Sequence, residues 1–176
     1  MQAPFWIERW EQGLIGWHQS QVHRALPACW AALGIASTSR VFVPLCGKSL
    51  DMVWLRERGH GVVGVDLSPL AVRDFFHERA LVPSVDRHGD LQLWAAGGYE
   101  LWVGDLFALT TADLGRVDAI YDRASLIALP PEMRPRYAAQ IAALTRPGCR
   151  GLLITMEYDQ SLVSGPPFSV PGPEVA

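Results

Sequence analysis

RVFVPLCGKS at residues 40–49 and GVVGVD at residues 61–66 decide the fold of this chain. Each stretch contains a short run of apolar, mostly β-branched residues, which is typical of a buried strand. The residues between them, 50–58, have a helical pattern that Gly59 can end as the residue after the C-cap. A strand, a helix and a second strand in this order predict a parallel βαβ unit, and hence an α/β fold.

The same alternation continues along the chain. Ser68 as N-cap and Pro69 as first helical residue predict another helix, and the glycine pair at 97 and 98 predicts a hairpin. Further strands are expected at residues 91–96, 100–103, 117–122 and 151–158, and a further helix is expected after Pro130-Pro131, with Tyr137, Ile141 and Leu144 on one face. Because parallel crossovers are nearly always right-handed, these units predict an open, doubly wound, Rossmann-like sheet. The ligand is expected on the rim where the carboxyl ends of the strands meet.

Length and composition limit the class of protein. The chain has 176 residues, 49% of them hydrophobic and 19% charged, which predicts a single globular domain rather than intrinsic disorder. The 15 basic and 18 acidic residues give a net charge of −3 without a charged block, so no nucleic-acid partner is expected. No apolar run is long enough for a bilayer, so no membrane partner is expected. Three separated cysteines and the lack of a signal-peptide pattern predict a cytoplasmic protein.

Four groups of residues fall at the expected strand ends, and together they are typical of a nucleoside site: 45–47, Asp66, Gly104-Asp105 and Asp122-Arg123. Asp66 lies 21 positions after Leu45, near the interval at which an acidic side chain accepts hydrogen bonds from a ribose diol. The alternative for Asp66 is a turn carboxylate that precedes the helix start at Ser68.

The two later groups also have alternatives. Asp105 either accepts a hydrogen bond from an exocyclic amine or begins the next turn of the chain. Arg123 either forms a structural ion pair with Asp122 or points its cation into the cleft. The spacing alone does not decide between them.

The turn at residues 46–49 lacks the glycines of a phosphate-binding loop. A Walker A loop would need a glycine at Phe42, and a dinucleotide fingerprint would need more glycines than Gly47. A tight turn of this kind suits S-adenosylmethionine, which carries no phosphate, better than NAD or ATP. Lys48 is interpreted as a solvated residue of this turn.

The N-terminus is rich in aromatic residues and predicts an amphipathic helix with Trp6, Trp10 and Trp17 on one face. This face either packs on the sheet or forms a cover that excludes water from a ligand. His18 and His23 have no partners at metal-ligand spacing, so they are interpreted as ordinary polar residues and no metal is expected.

Taken together, several segments resemble the thiopurine S-methyltransferase family, particularly its bacterial members. The most specific are VPLCGKSLDM at residues 43–52 and YDRASLIALPPEMRPRY at residues 121–137, and the remainder are the Phe5-Trp6 and Arg9-Trp10 pairs, GHGVVGVD at 59–66, Gly104-Asp105 and GPPFSV at 165–170. The resemblance covers nearly the whole chain. It implies a class I methyltransferase fold that uses S-adenosylmethionine to methylate the sulfur of thiopurines or similar heteroaromatic thiols, and in bacterial members also selenium or tellurium compounds.

The resemblance also implies roles for individual residues. By motif, the cofactor contacts of the family fall on Trp10, Leu45, Asp66 and Arg123. Gly104 and Asp105 are expected to contact the cofactor because of their place at a strand end, independently of the resemblance. Arg123 is further expected to orient the substrate as the one catalytic residue, because a cation favours the thiolate form of an acidic thiol. The expected partner is therefore a small-molecule thiol.

Two features depart from the family pattern. Many relatives carry Glu where this chain has Asp66, and a shorter carboxylate must sit closer to a ribose. Relatives also continue past the GPPFSV segment, whereas this sequence ends at Ala176 after a proline-rich stretch that cannot supply a central strand. The last strands of the sheet are therefore expected to be missing, with self-association through the exposed edge formed by residues 151–158.

These observations predict one methyltransferase domain in three parts: an N-terminal helical cover at 1–39, a cofactor-binding α/β core at 40–158 and a Pro/Gly-rich tail at 159–176. Two other functions stay open. One is a truncated protein that binds S-adenosylmethionine with little or no turnover. The other is a nicotinamide oxidoreductase, which the missing glycine fingerprint disfavours.

Overall fold

A computed structural model describes residues 3–175 and contains a seven-stranded mixed sheet between two layers of helices. The strands are β1 (Arg40–Pro44), β2 (Gly61–Asp66), β3 (Ser84–His88), β4 (Leu91–Ala96), β5 (Tyr99–Val103), β6 (Ala119–Arg123) and β7 (Arg150–Ile154). The α-helices are α1 (Ala3–Glu11), α2 (Ala25–Trp30), α3 (Leu50–Glu57), α4 (Pro69–His77), α5 (Thr111–Leu114) and α6 (Arg134–Leu144).

The strands lie in the order β3-β4-β5-β2-β1-β6-β7. β1 pairs in parallel with β2 on one side and with β6 on the other, β2 pairs in parallel with β5, and β6 with β7. Only the pairs β3–β4 and β4–β5 are antiparallel. The doubly wound fold is therefore confirmed, and the direction of winding reverses between β1 and β6, where such folds bind their ligands.

The core lies on both faces of the central strands. Val41 and Val43 of β1 pack on one face with residues of α2, α3 and α4. Phe42 faces the other side and packs with residues of α5 and α6. Because β1 is covered on both faces, its apolar residues run without a polar interruption, which is why its sequence predicts a buried parallel strand.

Most predicted elements are present, with shifts at their ends. The hairpin closes at Gly97-Gly98, where Ala96 pairs with Tyr99. β3 was not predicted, because its sequence SVDRH is polar and all five residues are exposed at the edge of the sheet. β7 ends at Ile154 rather than continuing to residue 158.

The N-terminal helix is shorter than its aromatic pattern predicts. α1 ends at Glu11, and Gly13 adopts a φ of +68°, which favours glycine and turns the chain away. Trp17 therefore lies outside the helix, and the prediction that it shares a helical face with Trp6 and Trp10 is wrong. Its ring still meets both of theirs edge-on, with centroids 5.2 and 6.0 Å apart.

Residues after β7 return across the rim and add no strand to the sheet within the described part of the chain. The Phe168 amide donates to the carbonyl of Ile127 at 2.7 Å, and the Val170 amide donates to that of Met156 at 2.9 Å. Within residues 3–175, β7 pairs with β6 alone and forms one edge of the sheet. None of the helices described is long and apolar enough to serve as a transmembrane span.

Candidate active site

A cavity of about 510 Å³ opens at the point where the winding reverses, a volume within the usual range for small-molecule sites. Its floor is formed by the carboxyl ends of β1, β2, β6 and β7, and its roof by α1 and the turn that follows it. Its wall includes Arg9, Trp10, Trp17, Leu45, Asp66 and Arg123.

Asp66 ends β2 with its carboxylate at the cavity wall. One oxygen, Oδ2, accepts from the Gly47 amide at 2.8 Å, and Oδ1 accepts from the Ser68 amide at 2.9 Å. The side chain is 9% exposed, and burial raises its pKa to about 6. The turn interpretation of Asp66 is therefore correct. Each carboxylate oxygen also has a second lone pair that can accept a hydroxyl, so the geometry fits a ribose diol as well.

The turn after β1 brings the backbone close to the cavity. Leu45 and Gly47 have φ values of +44° and +51°. A Cβ at Gly47 would lie 3.0 Å from the Trp10 ring and 3.9 Å from the Asp66 carboxylate, so a side chain here would push the Trp10 ring aside, and the positive φ also favours glycine. Leu45, Trp10 and Asp66 are thus brought together, as expected from their motifs.

Lys48 does not behave as a solvated turn residue. Its Nζ lies 2.5 Å from Oε1 of Glu78 and 4.0 Å from Oδ2 of Asp74, and its side chain is 13% exposed. The prediction is wrong because α4 brings two carboxylates against the turn, a contact between segments distant in sequence. Through these two contacts, Lys48 holds α4 against the turn that follows β1.

Arg123 ends β6 and turns its guanidinium into the cavity. Its Nη2 donates to the carbonyl of Trp17 at 3.1 Å, and within residues 3–175 no carboxylate lies within ion-pair distance of it. Asp122 instead accepts from the Tyr137 hydroxyl at 2.6 Å, and burial raises its pKa. The structural ion pair is therefore absent from the described residues. Arg123 lines the cavity, which is consistent with the alternative in which its cation points into the cleft.

A buried carboxylate that the sequence analysis did not single out anchors the roof. Asp51, in the first turn of α3, accepts from the backbone amide of His23 at 2.7 Å and from the Tyr121 hydroxyl at 2.8 Å. His23 follows the turn that carries Trp17, so Asp51 holds this turn against β6. Both Asp51 and Tyr121 lie within the two specific sequence segments, but nothing in their spacing indicates that they meet.

Gly104 and Asp105 do not belong to the cavity wall. The Gly104 amide donates to the carbonyl of Asp66 at 2.9 Å, which places it beside the site. The exposed Asp105 carboxylate accepts from the Phe107 amide at 2.9 Å and begins a 3₁₀ turn. The turn interpretation of Asp105 is thus correct, while its contact with an exocyclic amine stays a prediction.

The two histidines near the roof favour an uncharged state. Burial is the main cause that lowers the pKa of His18, and also that of His23, and the Arg123 guanidinium lowers both further. No cluster of three metal-ligating side chains occurs within the described residues. Among residues 3–175, the charged groups of the cavity wall are therefore Arg9, Asp66 and Arg123.

The donors and acceptors present fit S-adenosylmethionine. The Asp66 carboxylate provides acceptors for hydroxyl groups, the left-handed turn at Leu45–Gly47 allows close backbone approach, and Trp10 provides an apolar wall. A ligand with a ribose, an apolar base and no phosphate matches this set of groups.

Comparison with known proteins gives consistent results. The family model described as thiopurine S-methyltransferase (TPMT) matches residues 1–176. The thiopurine S-methyltransferase of Pseudomonas fluorescens (strain Pf0-1) is 54% identical over 175 residues, which cover 99% of this chain and 80% of the relative. The protein of the same name from Pseudomonas syringae pv. syringae (strain B728a) is 53% identical over 171 residues, which cover 97% and 78%.

Solved structures of lower sequence identity share the fold. Magnesium protoporphyrin IX methyltransferase from Synechocystis PCC 6803, with bound SAM, has a TM-score of 0.68 at 16% identity and covers 98% of this chain and 81% of its own. A Burkholderia thailandensis 1,6-didemethyltoxoflavin-N1-methyltransferase, with bound S-adenosylhomocysteine, has a TM-score of 0.64 at 21% identity and covers 89% and 62%. The sheet described above is thus that of the class I methyltransferases.

Proposed function

We propose that this chain, which belongs to the thiopurine S-methyltransferase family, transfers a methyl group from S-adenosylmethionine to the sulfur of a thiopurine or similar heteroaromatic thiol. It is an S-adenosylmethionine-dependent methyltransferase by family. One observation supports a thiol as the acceptor most strongly. The Arg123 guanidinium lies at the cavity and has no carboxylate partner within residues 3–175.

The cofactor is assigned to the part of the cavity around β1 and β2. Asp66 accepts from the ribose hydroxyls, Leu45 contributes backbone at the left-handed turn, and Trp10 covers the nucleoside from α1. Gly104 and Asp105 lie beside this region and stay candidates for the adenine. When bound, S-adenosylmethionine supplies a methyl carbon that is already activated by a positive sulfonium.

The residues of the chain then need only bind, orient and desolvate the acceptor. In the transfer, a lone pair of the thiolate sulfur forms the new S–CH₃ bond while the sulfonium S–CH₃ bond breaks and its electron pair stays on the cofactor sulfur. A thioether and S-adenosylhomocysteine result, and the thiol proton goes to solvent. Alignment of this kind can contribute on the order of 7 to 11 kcal/mol.

Arg123 is proposed to hold the acceptor sulfur as a thiolate. A nearby cation lowers the pKa of a thiol, so more of the acceptor is present as the nucleophile at neutral pH. A selenol is a larger nucleophile of the same type, and we include selenium and tellurium compounds in the proposal on this chemistry alone.

The roof is proposed to exclude water during transfer. It consists of α1 and the turn to His23, and it is held to the sheet by Asp51 and by the contact between Arg123 and Trp17. A closed apolar roof strengthens electrostatic interactions between the acceptor and the cation.

The test is turnover of 6-mercaptopurine by the wild-type chain and by Arg123→Gln and Arg123→Lys variants, with Arg73→Gln as an exposed control outside the cavity. We expect kcat/KM to fall at least tenfold in Arg123→Gln and to recover partly in Arg123→Lys. The pH profile of kcat should shift to higher pH in Arg123→Gln, because the bound thiol loses the cation that favours its thiolate form. Cofactor binding without methylation by the wild type would favour the binding-only alternative.

Two further parts of the proposal concern the oligomeric state and the cellular location of the protein. Within residues 3–175, β7 forms an edge of the sheet with Leu153 39% exposed, and we propose that this edge pairs with a second copy of the chain. Light scattering across concentrations should then show a dimer that Leu153→Lys weakens, and a concentration-independent monomer would contradict it.

A cytoplasmic location is proposed because Cys29, Cys46 and Cys149 are all free thiols, as a reducing compartment favours.

A further inference from the structure

Arg9 is a second cation in the cavity wall, and neither the motifs nor the mechanism above give it a role. It lies on α1, one residue before Trp10, and is half-buried. Its guanidinium carbon lies 4.8 Å from the centroid of the Phe5 ring. Across residues 3–175, the guanidinium has no carboxylate within ion-pair distance and no hydrogen-bond acceptor.

The direction of this side chain separates it from the nucleoside. Phe5 lies one helical turn before Arg9, so a guanidinium over its ring reaches back along α1 toward the N-terminus. Trp10 instead packs on Gly47, beside the Asp66 carboxylate. Arg9 and Asp66 therefore face different parts of the same cavity.

The charge of the wall then indicates what Arg9 can bind. Asp66 is the one carboxylate that lines the cavity within the described residues, and its two oxygens already accept from backbone amides. Arg123 faces the cavity from the floor, and Arg9 from the roof. An arginine that has an aromatic ring but no carboxylate or hydrogen-bond acceptor within residues 3–175 favours an anion with planar oxygens, which it can bind with two parallel hydrogen bonds.

We propose that Arg9 is a specificity-determining residue that binds a carboxylate substituent of the acceptor thiol, while Arg123 faces its sulfur. The inference rests on the proposed function for the presence of a thiol acceptor. It adds the substrate class: aromatic thiols that carry an acidic group away from the sulfur are preferred to neutral ones.

A matched pair of coloured thiols tests the proposal. 5-Thio-2-nitrobenzoate and 4-nitrothiophenol differ by one carboxylate and share a nitro group para to the thiol. Each is titrated calorimetrically into chain saturated with S-adenosylhomocysteine, so that binding is measured without turnover. The variants are Arg9→Gln and Arg9→Lys, and the control is Arg136→Gln, whose guanidinium lies 3.8 Å over the Phe107 ring and outside the cavity wall.

We expect Arg9→Gln to weaken binding of 5-thio-2-nitrobenzoate by about 10- to 100-fold and to leave that of 4-nitrothiophenol within about twofold, as loss of a charge-assisted hydrogen bond requires. Arg9→Lys should recover part of the loss, and Arg136→Gln should match the wild type. Equal effects on the two thiols would overturn the proposal. So would a weaker affinity of Arg9→Gln for S-adenosylhomocysteine itself, which would assign Arg9 to the cofactor carboxylate.

The same thiols report separately on the proposed function, because methylation removes the absorbance of the thiolate. Absorbance that persists with S-adenosylmethionine and wild-type chain would contradict methyl transfer, whatever the binding result. A difference in affinity that depends on Arg9 would still support the carboxylate subsite.

Discussion

Replacement of Asp66 by Asn separates cofactor binding from folding. The carboxylate accepts two backbone amides, at 2.8 and 2.9 Å, and an amide side chain can accept only one of them in the same orientation. The unmatched donor costs about 1 to 3 kcal/mol of stability. In the opposite direction, the variant removes a carboxylate charge that burial disfavours, since burial raises the pKa of Asp66 to about 6. Removal of this charge stabilises the folded state by about 3 kcal/mol at neutral pH. The two effects nearly cancel, so we expect a folded variant.

Binding should respond differently. The ribose hydroxyls lose a charged acceptor, which is worth about 1.5 to 3 kcal/mol, or roughly a 10- to 150-fold weaker affinity. Calorimetric titration with S-adenosylhomocysteine at neutral pH measures this loss, and thermal unfolding measures stability. Asp66→Glu should retain affinity within about fivefold, because the longer carboxylate can also accept from a ribose.

Asp159 offers a matched control. Its carboxylate accepts from the Ser161 amide two residues ahead at 3.0 Å, as Asp66 accepts from Ser68, but it does not line the cavity. Asp159→Asn should therefore bind as the wild type does. Unchanged affinity in a folded Asp66→Asn variant would contradict the ribose contact and leave Asp66 as a turn carboxylate only. If Asp66→Asn unfolds, the folded Asp66→Glu variant is measured instead. A large loss of its affinity would indicate that the site has no room for the longer side chain, and not that a carboxylate at this position serves both the turn and the ribose.

Three further predictions follow from the contacts of the site and the core. Because burial raises the pKa of Asp66 to about 6, cofactor affinity should fall below pH 6, by up to about tenfold per pH unit, and a calorimetric series that stays flat from pH 5 to 8 would contradict this. Asp51→Asn and Tyr121→Phe should each raise KM for the thiol and speed proteolysis within the N-terminal roof. Tyr121→Phe removes the 2.8 Å bond between the two side chains, and Asp51→Asn leaves one acceptor oxygen for the two donors, His23 and Tyr121. Unchanged limited-proteolysis rates in both variants would count against the anchor. Gly64→Ala should lower the free energy of unfolding, measured by denaturant titration, by about 1 to 3 kcal/mol, because its Cβ would lie 2.7 Å from the sulfur of Cys46. The control Gly172→Ala has open space around its Cβ and should be within about 0.5 kcal/mol of the wild type.

The sequence was most informative where local pattern and tertiary packing agree. β1 and β2 are apolar on both faces because both faces are buried, so their residues indicate their place in the sheet. The Ser68 cap was predicted for the same reason: its hydroxyl accepts from the Ala71 amide at 3.3 Å, a contact within one turn. β3 gave no such signal, since an exposed edge strand forms on its neighbour without burying its own side chains.

Contacts between distant segments limited the prediction of the site. The strand ends indicated Leu45, Asp66 and Arg123, because parallel strands place such residues on one rim. Lys48 was misassigned because its carboxylate partner Glu78, which directly follows α4, is 30 residues away in the sequence. Asp51 was missed because a buried carboxylate is stable only through partners, here at positions 23 and 121, that no local pattern reveals.

Methyl transfer to sulfur is the reaction that we propose for this chain. A single-turnover reaction with excess chain, S-adenosylmethionine labelled with deuterium on its methyl group, and 6-mercaptopurine tests it most directly, with products identified by mass spectrometry. We expect the S-trideuteromethyl thioether and one equivalent of S-adenosylhomocysteine for each thiol consumed. Bound cofactor that stays intact, with no label on the sulfur of the purine, would contradict it.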